Sequence, residues 1–282
     1  VTGRAEEALR LAELQLRDPA VVADGERVAI TMVWNRVLAM WQLGRLGELA
    51  GPLDGVPSTD GAPLSSSWMR SGMTGTFDLL RGRLADASTR YISVWDHLVH
   101  GTPQVAAMNS LLRAMAEAQL GRADDAGGLI AAADELPLGT SGPYRWWVER
   151  ARIMAMAAQG AITEAIKRSL QLADRHPGEH LYVTTSLHDV VRFGRAKFVQ
   201  ERLARQAERP HASWWDRVCA DHAAVAAAEH PDPVRLLEVA ERFERGGRAL
   251  EALEAAAQAA AEAGDGRAPG ASASVRVAAA SK

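Results

Sequence analysis

Apolar and polar residues alternate along most of this chain with the period of an amphipathic α-helix. Apolar residues three and four positions apart recur along residues 105–120, 146–159 and 161–175, and Pro177 follows the last of these stretches. The strong helix formers Ala, Leu, Glu and Arg are abundant, whereas β-branched and aromatic residues are too few for a core built from sheets. The pattern therefore predicts an all-α protein.

A six-residue motif recurs between these stretches. It consists of Gly, often Arg, a small or apolar residue, any residue, an acidic residue and a small or apolar residue, and it begins at Gly3, Gly44, Gly82, Gly121, Gly160 and Gly247. Gly194 keeps the glycine but loses the acid. The first five gaps between these seven glycines are 41, 38, 39, 39 and 34 residues. The last gap, of 53 residues, leaves room for a further turn near residues 229–233.

Each position of the motif has a physical reason. Glycine ends a helix in the left-handed conformation that it adopts without strain, and an acid in the first turn of the next helix complements the helix dipole. We therefore predict that each copy joins a helix A to a helix B. Seven or eight such pairs would form an α-solenoid with a period of 38–39 residues, in one continuous domain over residues 1–263.

The remaining segments are predicted to lie outside the repeats. Residues 51–67 and 136–143 are rich in Pro, Gly and Ser and indicate loops, and residues 264–282 indicate a terminal helix or a flexible tail. An irregular helical bundle that uses glycine turns is the alternative to the solenoid.

Composition and motifs narrow the function classes. A formal net charge of −3 argues against a basic surface for nucleic acid, and a single cysteine, Cys219, excludes a disulfide framework and indicates a small core residue. No apolar run approaches the roughly 18 residues of a membrane span, and residues 1–10 lack the layout of a signal peptide. We therefore expect a cytoplasmic protein that does not contact membranes.

The chain also lacks the common motifs of catalysis. It contains no phosphate-binding loop, dinucleotide-binding motif, zinc-protease motif or nucleophile elbow. The pairs His97/His100 and His176/His180 have helical spacing, but they lack nearby carboxylates and indicate ordinary polar histidines. We expect no enzyme activity, no cofactor and no metal.

Residues 160–177, with the sequence GAITEAIKRSLQLADRHP, resemble the tetratricopeptide repeat in its turn glycine, its Glu-Ala pair and its closing proline. The other copies depart from that family, since most lack the proline and the period exceeds 34 residues. In that family helix A lines a concave groove. The family's groove positions, counted back from each turn glycine, fall on Trp34, Trp41, Met69, Met108, Met115, Trp147, Arg150, Met154 and His188, with an arginine column of Arg36, Arg113 and Arg152.

Two interpretations of these groove residues stay open. Met-rich surfaces adapt to varied partners, and Trp and Arg are frequent hot-spot residues, so the set could bind a partner or inducer. Helix A could equally supply the large core side chains that pack on alanine-rich B helices. The arginine column could also cap helices or pair with Glu117 and Glu149.

Residues 222–264 resemble the end of the helical-repeat region of LuxR-type, MalT-like transcriptional regulators of actinobacteria. The likeness lies in a His-Ala-Ala stretch from His222, an apolar helix that ends at Phe243, a turn at Gly246 and Gly247, and an alanine-rich helix. Such regulators carry a nucleotide-binding module before the repeats and a helix-turn-helix after them, and neither is among these 282 residues. The first residue, Val1, also suggests a piece of a longer protein.

The resemblance implies a non-catalytic sensor or scaffold region of a transcriptional regulator. It would bind a protein or small-molecule inducer in the groove, with self-association and DNA binding carried by other domains, and it would not contact nucleic acid itself. The alternative is a stand-alone adaptor for protein partners. An α-solenoid enzyme with a site built from scattered residues is the third hypothesis, and no motif supports it.

Overall fold

The computed structural model describes residues 4–18, 26–54, 56, 67–98, 103–136 and 144–264, which are mostly helical and contain no strand. The predicted all-α class is therefore confirmed. The α-helices of this part of the chain are α1 (Ala5–Arg17), α2 (Glu26–Leu43), α3 (Ser67–Leu80), α4 (Leu84–Leu98), α5 (Pro103–Gln119), α6 (Ala123–Asp134), α7 (Tyr144–Ala158), α8 (Ile162–Arg175), α9 (His180–Arg192), α10 (Gln200–Ala207), α11 (Trp214–Ala226), α12 (Pro233–Arg245) and α13 (Ala249–Gly264). Single 3-10 turns lie at Leu46–Glu48 and Ala196–Phe198.

One turn geometry recurs at all the predicted turn glycines that the structure describes. The left-handed glycines are Gly44, Gly82, Gly121, Gly160, Gly194 and Gly247, with φ between +68° and +84°. Each glycine N–H donates to the carbonyl three residues back, and the following N–H donates to the carbonyl five residues back, over 2.8 to 3.2 Å. These two bonds define the Schellman motif, which satisfies the last carbonyls of a helix. The predicted role of glycine in ending a helix is confirmed at these six positions, while Gly3 lies outside the described residues. The prediction that each copy leads directly into a helix B is wrong at Gly44 and Gly194, which are followed by the 3-10 turns Leu46–Glu48 and Ala196–Phe198.

The acids of the motif begin the next helices, as predicted. Glu6 and Glu7 lie in the first turn of α1, Asp124 and Asp125 in that of α6, and Glu164 in that of α8. There they face the positive end of the helix dipole.

The additional turn in the longest gap is also present. Ser213 begins α11 through a capping box, in which its Oγ accepts from the Asp216 N–H and its own N–H donates to Asp216 Oδ2. Asp232 caps α12, and Pro233 occupies its first turn. The turn predicted near residues 229–233 therefore separates two helices.

Helix α8 ends at Arg175, just before Pro177, as expected. Most of the predicted loops at 51–67 and 136–143, and the tail after Gly264, lie outside the described residues.

The chain divides into two compact units. Unit 1 comprises Val1–Ala5, Met40–Glu48 and Ala173–Lys282, and unit 2 comprises Glu6–Ala39 and Leu49–Leu172. The single continuous domain over residues 1–263 stays a prediction.

Unit 2 contains α3 to α7, and neighbours in the chain pack on one another. Helix α5 contacts α4, α6 and α7 directly, and α3 packs on α4. Many of the contacts use alanine: Ala87, Ala126 and Ala165, the sixth residues of three motif copies, are fully buried. Small residues there bring helices close together, as the motif predicts.

Unit 1 is built around large aromatic side chains. Helix α12 packs on α11 and α13, and α11 packs on α9 and α10. Trp41, Trp215 and Phe243 are fully buried, and the ring of Trp214 lies over the backbone of Gly44 and Gly246. A side chain at either glycine would enter the space of that ring.

We expect Gly121→Ala and Gly44→Ala to differ in cost although both place alanine in a left-handed turn. At Gly121 no atom lies within 4 Å of the added Cβ, so the loss is the conformational strain alone, about 1–2 kcal/mol. At Gly44 the Cβ would lie 2.3 Å from a Trp214 ring carbon. The forced repacking should raise the loss to about 2–5 kcal/mol. Urea unfolding followed by circular dichroism measures both, and equal losses would contradict the close packing of Trp214.

Candidate functional site

The predicted groove residues differ widely in burial. Trp41, Met115, Trp147, Arg150, Met154, His188 and Arg36 are buried. Trp34, Met108, Arg113 and Arg152 are half-buried, and the Met69 side chain lies outside the described residues. Seven of the twelve therefore supply core contacts in this conformation, and four have surface that a partner can reach. We call Trp34, Met108, Arg113 and Arg152 the half-buried set.

Aromatic and cationic groups link the A helices of unit 2. The Trp34 ring of α2 packs at 5.7 Å from the Trp147 ring of α7, which meets the neighbouring Trp146 ring edge to face. The Arg150 guanidinium lies 5.4 Å from the centre of the Trp146 ring and 3.6 Å from the Met115 sulfur on α5. Cation–π and sulfur contacts of this kind stabilise desolvated cations. The buried Arg150 side chain on α7 therefore links this helix to α5.

The arginine column pairs with nearby acceptors. Arg36 donates 2.7 Å to the Asp54 carbonyl and also to the Pro52 carbonyl, which fixes the turn after the first 3-10 segment. Burial is the main cause that lowers the pKa of Arg36 from its usual value. Arg113 lies 3.7 Å from Glu117, and Arg152 lies 2.5 Å from Asp134.

The pairing that the sequence suggested as an alternative for these arginines is therefore present. Arg152 Nη1 lies 3.3 Å from Glu149 Oε1, beside its bond to Asp134. Glu117 is buried and accepts bonds from Ser88 and, over 3.0 Å, from Arg122. Both cations of the half-buried set have carboxylate partners, yet each keeps more than a quarter of its side chain exposed.

Unit 1 holds a second concentration of charge and aromatic rings, which the sequence did not predict as a whole. The Arg248 guanidinium lies between two indoles, 4.8 Å from the centre of the Trp41 ring and 4.9 Å from that of Trp215. Arg248 also donates to the Glu251 carboxylate, and both side chains are buried. Burial opposes the charge of Glu251, but the charges of Arg248 and Arg192 outweigh it, so its pKa is lowered.

A second buried arginine joins two helices of the same unit. Arg192 on α9 bonds both carboxylate oxygens of Glu254 on α13, over 2.7 and 2.8 Å. Its remaining nitrogen donates 3.0 Å to Asp189 one turn earlier. Burial disfavours this cation, yet the Glu254 and Asp189 charges raise its pKa above the usual value. The planar guanidinium group of arginine suits such a bidentate hydrogen bond to a carboxylate.

Two buried histidines form a polar chain beside these rings. His188 Nε2 lies 2.9 Å from His222 Nδ1, and His222 Nε2 lies 3.0 Å from Gln258 Oε1. Because the Gln258 oxygen only accepts, His222 Nε2 carries the proton and its Nδ1 accepts from His188 Nε2–H. Burial lowers the pKa of His222. The neutral form of the His222 ring is therefore favoured in this core network.

These buried groups are poorly suited to catalysis. Cys219 is fully buried, as predicted, and burial raises the pKa of its thiol, which disfavours the reactive thiolate. Among the described residues, no group of three His, Cys, Asp or Glu side chains could hold a metal ion. The expectation that the His176/His180 pair lacks a nearby carboxylate is wrong, since His176 Nδ1 lies 2.9 Å from Glu179 Oε1. The side chains of His97 and His100 lie outside the described residues.

The sequence did not predict that Arg248, Glu251, Arg192, Glu254 and His222 lie together in one network. Arg248 follows the turn glycine in the same way as Arg45, whose partner Glu48 is also three residues away. The local sequences are alike, but only Arg248 is surrounded by distant tryptophans. No local signal distinguishes the two arginines.

Comparison with protein-family models, curated proteins and solved structures found no match to this chain. Within the described residues, no helix is both long and apolar enough to cross a membrane.

We expect Arg248→Ala to destabilise the protein far more than the matched change Arg45→Ala. The Arg248 and Glu251 side chains are 4% and 2% exposed, whereas those of Arg45 and Glu48 are 41% and 53% exposed. Removing Arg248 leaves a carboxylate buried without its cation, at a cost of about 3–5 kcal/mol. Removing Arg45 breaks a solvated pair worth up to about 1 kcal/mol. Urea unfolding compares the two variants, and similar losses would show that the Arg248 network adds little.

We expect acid to weaken the fold through His222. Its pKa is lower in the folded protein than the unfolded value of about 6.5, so the unfolded chain binds more protons as pH falls. The stabilisation is complete above about pH 6.5 and is lost progressively below it. His222→Gln should reduce the loss of unfolding free energy between pH 7.5 and pH 5.5. The exposed His230→Gln is the control, and identical pH slopes for all three proteins would refute this role of His222.

Proposed function

We propose that the chain is a non-catalytic helical-repeat scaffold in which the A helices of an α-solenoid bind a partner. The recurring Schellman turn carries this proposal, because in the described part of the chain the turns at Gly82, Gly121, Gly160 and Gly247 share one geometry and each joins two α-helices, as tandem helix pairs require. The direct packing of α5 on α7 supports it, since these are the A helices of consecutive motif copies. Buried acids such as Asp78, Glu117 and Asp189 pair with arginines, which disfavours a hidden enzyme site.

The half-buried set is the binding surface that we propose. Met108 and Arg113 lie on α5, Arg152 lies on α7, and Trp34 packs against Trp147 of α7. A thioether, an indole and two guanidinium groups fit a partner segment that carries apolar and acidic side chains.

We further propose that this scaffold is the sensor region of a cytoplasmic LuxR-type, MalT-like regulator. The resemblance at residues 222–264 supports this proposal, and it falls on α11, α12 and α13 with the turn at Gly247. A protein or small-molecule inducer would favour one arrangement of the helices and so change self-association. DNA binding would belong to domains outside this sequence. A stand-alone adaptor with the same binding surface is the alternative.

The coding sequence on both sides of this segment tests the regulator assignment. We expect a nucleotide-binding module upstream and a helix-turn-helix shortly after Lys282. A reading frame without the helix-turn-helix would overturn the regulator and favour the adaptor.

Peptide selection tests the binding surface. A displayed library of random 12-residue peptides is selected on the immobilised chain, and the selected peptides are measured by calorimetry. We expect enrichment of apolar and acidic residues, and a loss of affinity of about tenfold or more in Met108→Glu, equal to about 1.4 kcal/mol. Phe198→Glu, at an exposed position of unit 1, is the control and should leave affinity unchanged. Sensitivity to Phe198 but not to Met108 would place the surface elsewhere.

A further inference from the structure

Helix α13 exposes apolar side chains along one side of its first half. Ala249 and Leu253 lie one turn apart on this side, both are exposed, and Leu253 is 52% exposed. Ala257, one turn further on, is also exposed. A helix that ends a repeat array presents a polar outer face to water. This side of α13 lacks such polar residues. We call Ala249 and Leu253 the outer strip of α13.

The equivalent positions are covered in other copies of the motif. The copies at Gly82, Gly121 and Gly160 each join two α-helices. Six residues after these glycines, the side chain position is buried or half-buried: Ser88, Gly127 and Ile166. Two residues after them it is also buried or half-buried: Leu84, Ala123 and Ile162. Leu253 and Ala249 stand at the same distances from Gly247, yet both are exposed.

The helix A of the following copy covers these positions where the contacts are known. Ser88 on α4 donates to the Glu117 carboxylate of α5, and Arg113 of α5 lies 3.4 Å from Ser88 Oγ. A Cβ added at Gly127 on α6 would lie 3.0 Å from Nε2 of Gln159, the residue that directly follows α7. The side of helix B that lies six residues after the turn glycine is therefore the side that meets the next helix A.

Another side of α13 meets the helices that precede it in the chain. Glu254 bonds Arg192 of α9, and Gln258 bonds His222 of α11. Residues 254 and 258 lie roughly 100–140° away from Leu253 around the helix axis. The outer strip is therefore turned away from the contacts with α9 and α11.

We propose that the outer strip is the docking surface for one further helix A, which the chain forms after Gly264 and which runs antiparallel to α13. In the described copies a helix B packs on the helix A that follows it, as α4 does on α5. Leu253 stands where Ser88 of α4 meets the Glu117 carboxylate, so the docking helix should place an apolar residue there. The inference depends on the repeat arrangement proposed above, but not on partner binding or on the sensor role.

The lengths of the other connections locate the start of this helix. Four residues separate α4 from α5, nine separate α6 from α7, and four separate α8 from α9. With the same spacing, a helix after Gly264 begins five to ten residues later, at residues 269–274. At 15 residues, the length of α7, it extends past Lys282.

Site-specific cross-linking tests the proposal directly. The natural protein, with about 40 residues beyond Lys282, one repeat length, is produced with Leu253→p-benzoylphenylalanine. On irradiation we expect cross-links within the same chain, to the helix that begins at residues 269–274, located by mass spectrometry. Val234→p-benzoylphenylalanine is the matched control, since Val234 on α12 is 49% exposed, and it should not cross-link to that helix.

Three results would overturn the proposal. The first is the absence of cross-links from position 253 to that segment. The second is cross-links from position 253 to a second copy of the chain, which would assign the outer strip to self-association. The third is a reading frame that encodes no amphipathic helix at that place.

Stability of the same natural protein gives an independent readout. Leu253→Glu places a carboxylate in the docked contact, so Tm should fall by about 4 °C or more and amide exchange in α13 should quicken by about tenfold. Val234→Glu should leave both almost unchanged, because Val234 is exposed on α12. Equal effects of the two substitutions contradict the docking. If Leu253→Glu does not fold, Leu253→Ala against Val234→Ala gives the same comparison.

These experiments are separable from those on partner binding. They report on α13 and on the segment that follows it, whereas the peptide measurements report on Met108 in unit 2. Failure of the docking therefore leaves the proposed binding surface standing, and failure of peptide binding leaves the docking of the further helix standing.

Discussion

The fold depends on a backbone constraint, the left-handed glycine that ends a helix and reverses the chain. Within the described ranges, six glycines adopt this conformation, and the same pair of backbone hydrogen bonds forms at each of them. Any other residue would add about 1–2 kcal/mol of strain at every turn. Because the turn fixes where the next helix starts, it also fixes which residues of that helix face its neighbour. The burial of Ala87, Ala126 and Ala165 follows directly from that register.

Alanine contacts bring helices together but bury little surface, so larger side chains must fix their relative positions. In unit 1 two arginines help to fix the positions of the helices. Arg248 lies between two indole rings, and Arg192 is hydrogen-bonded to Asp189 and Glu254. A buried cation is tolerated only where its partners are in place. These arginines therefore couple the surrounding helices, because a shift of one helix would leave a buried charge without its partner.

The parts of this structure that the sequence predicts well are local. Helix class, turn glycines, first-turn acids and the additional turn before Pro233 each depend on residues within one or two helical turns. The candidate binding surface was harder to predict. The distance of a residue from the turn glycine indicates which face of helix A it lies on, but it does not indicate whether another helix buries that face. Trp34 and Trp147 were both predicted to line the groove from their positions before a turn glycine. Trp34 is half-buried, however, whereas Trp147 is buried. The difference comes from neighbours distant in sequence, as it does for Arg45 and Arg248.

The positions of the buried arginine networks limit which helices a bound partner could move. A ligand shifts an arrangement only by its difference in affinity between two states, typically 1–3 kcal/mol. Breaking the Arg248 or Arg192 network would cost more than that, since each buries a cation with its acid. The half-buried contacts of Arg113 and Arg152 are weaker, because both side chains are partly solvated. On our proposal, a partner at Met108 and Arg152 would therefore act by adjusting the A helices of unit 2, with the core of unit 1 left intact.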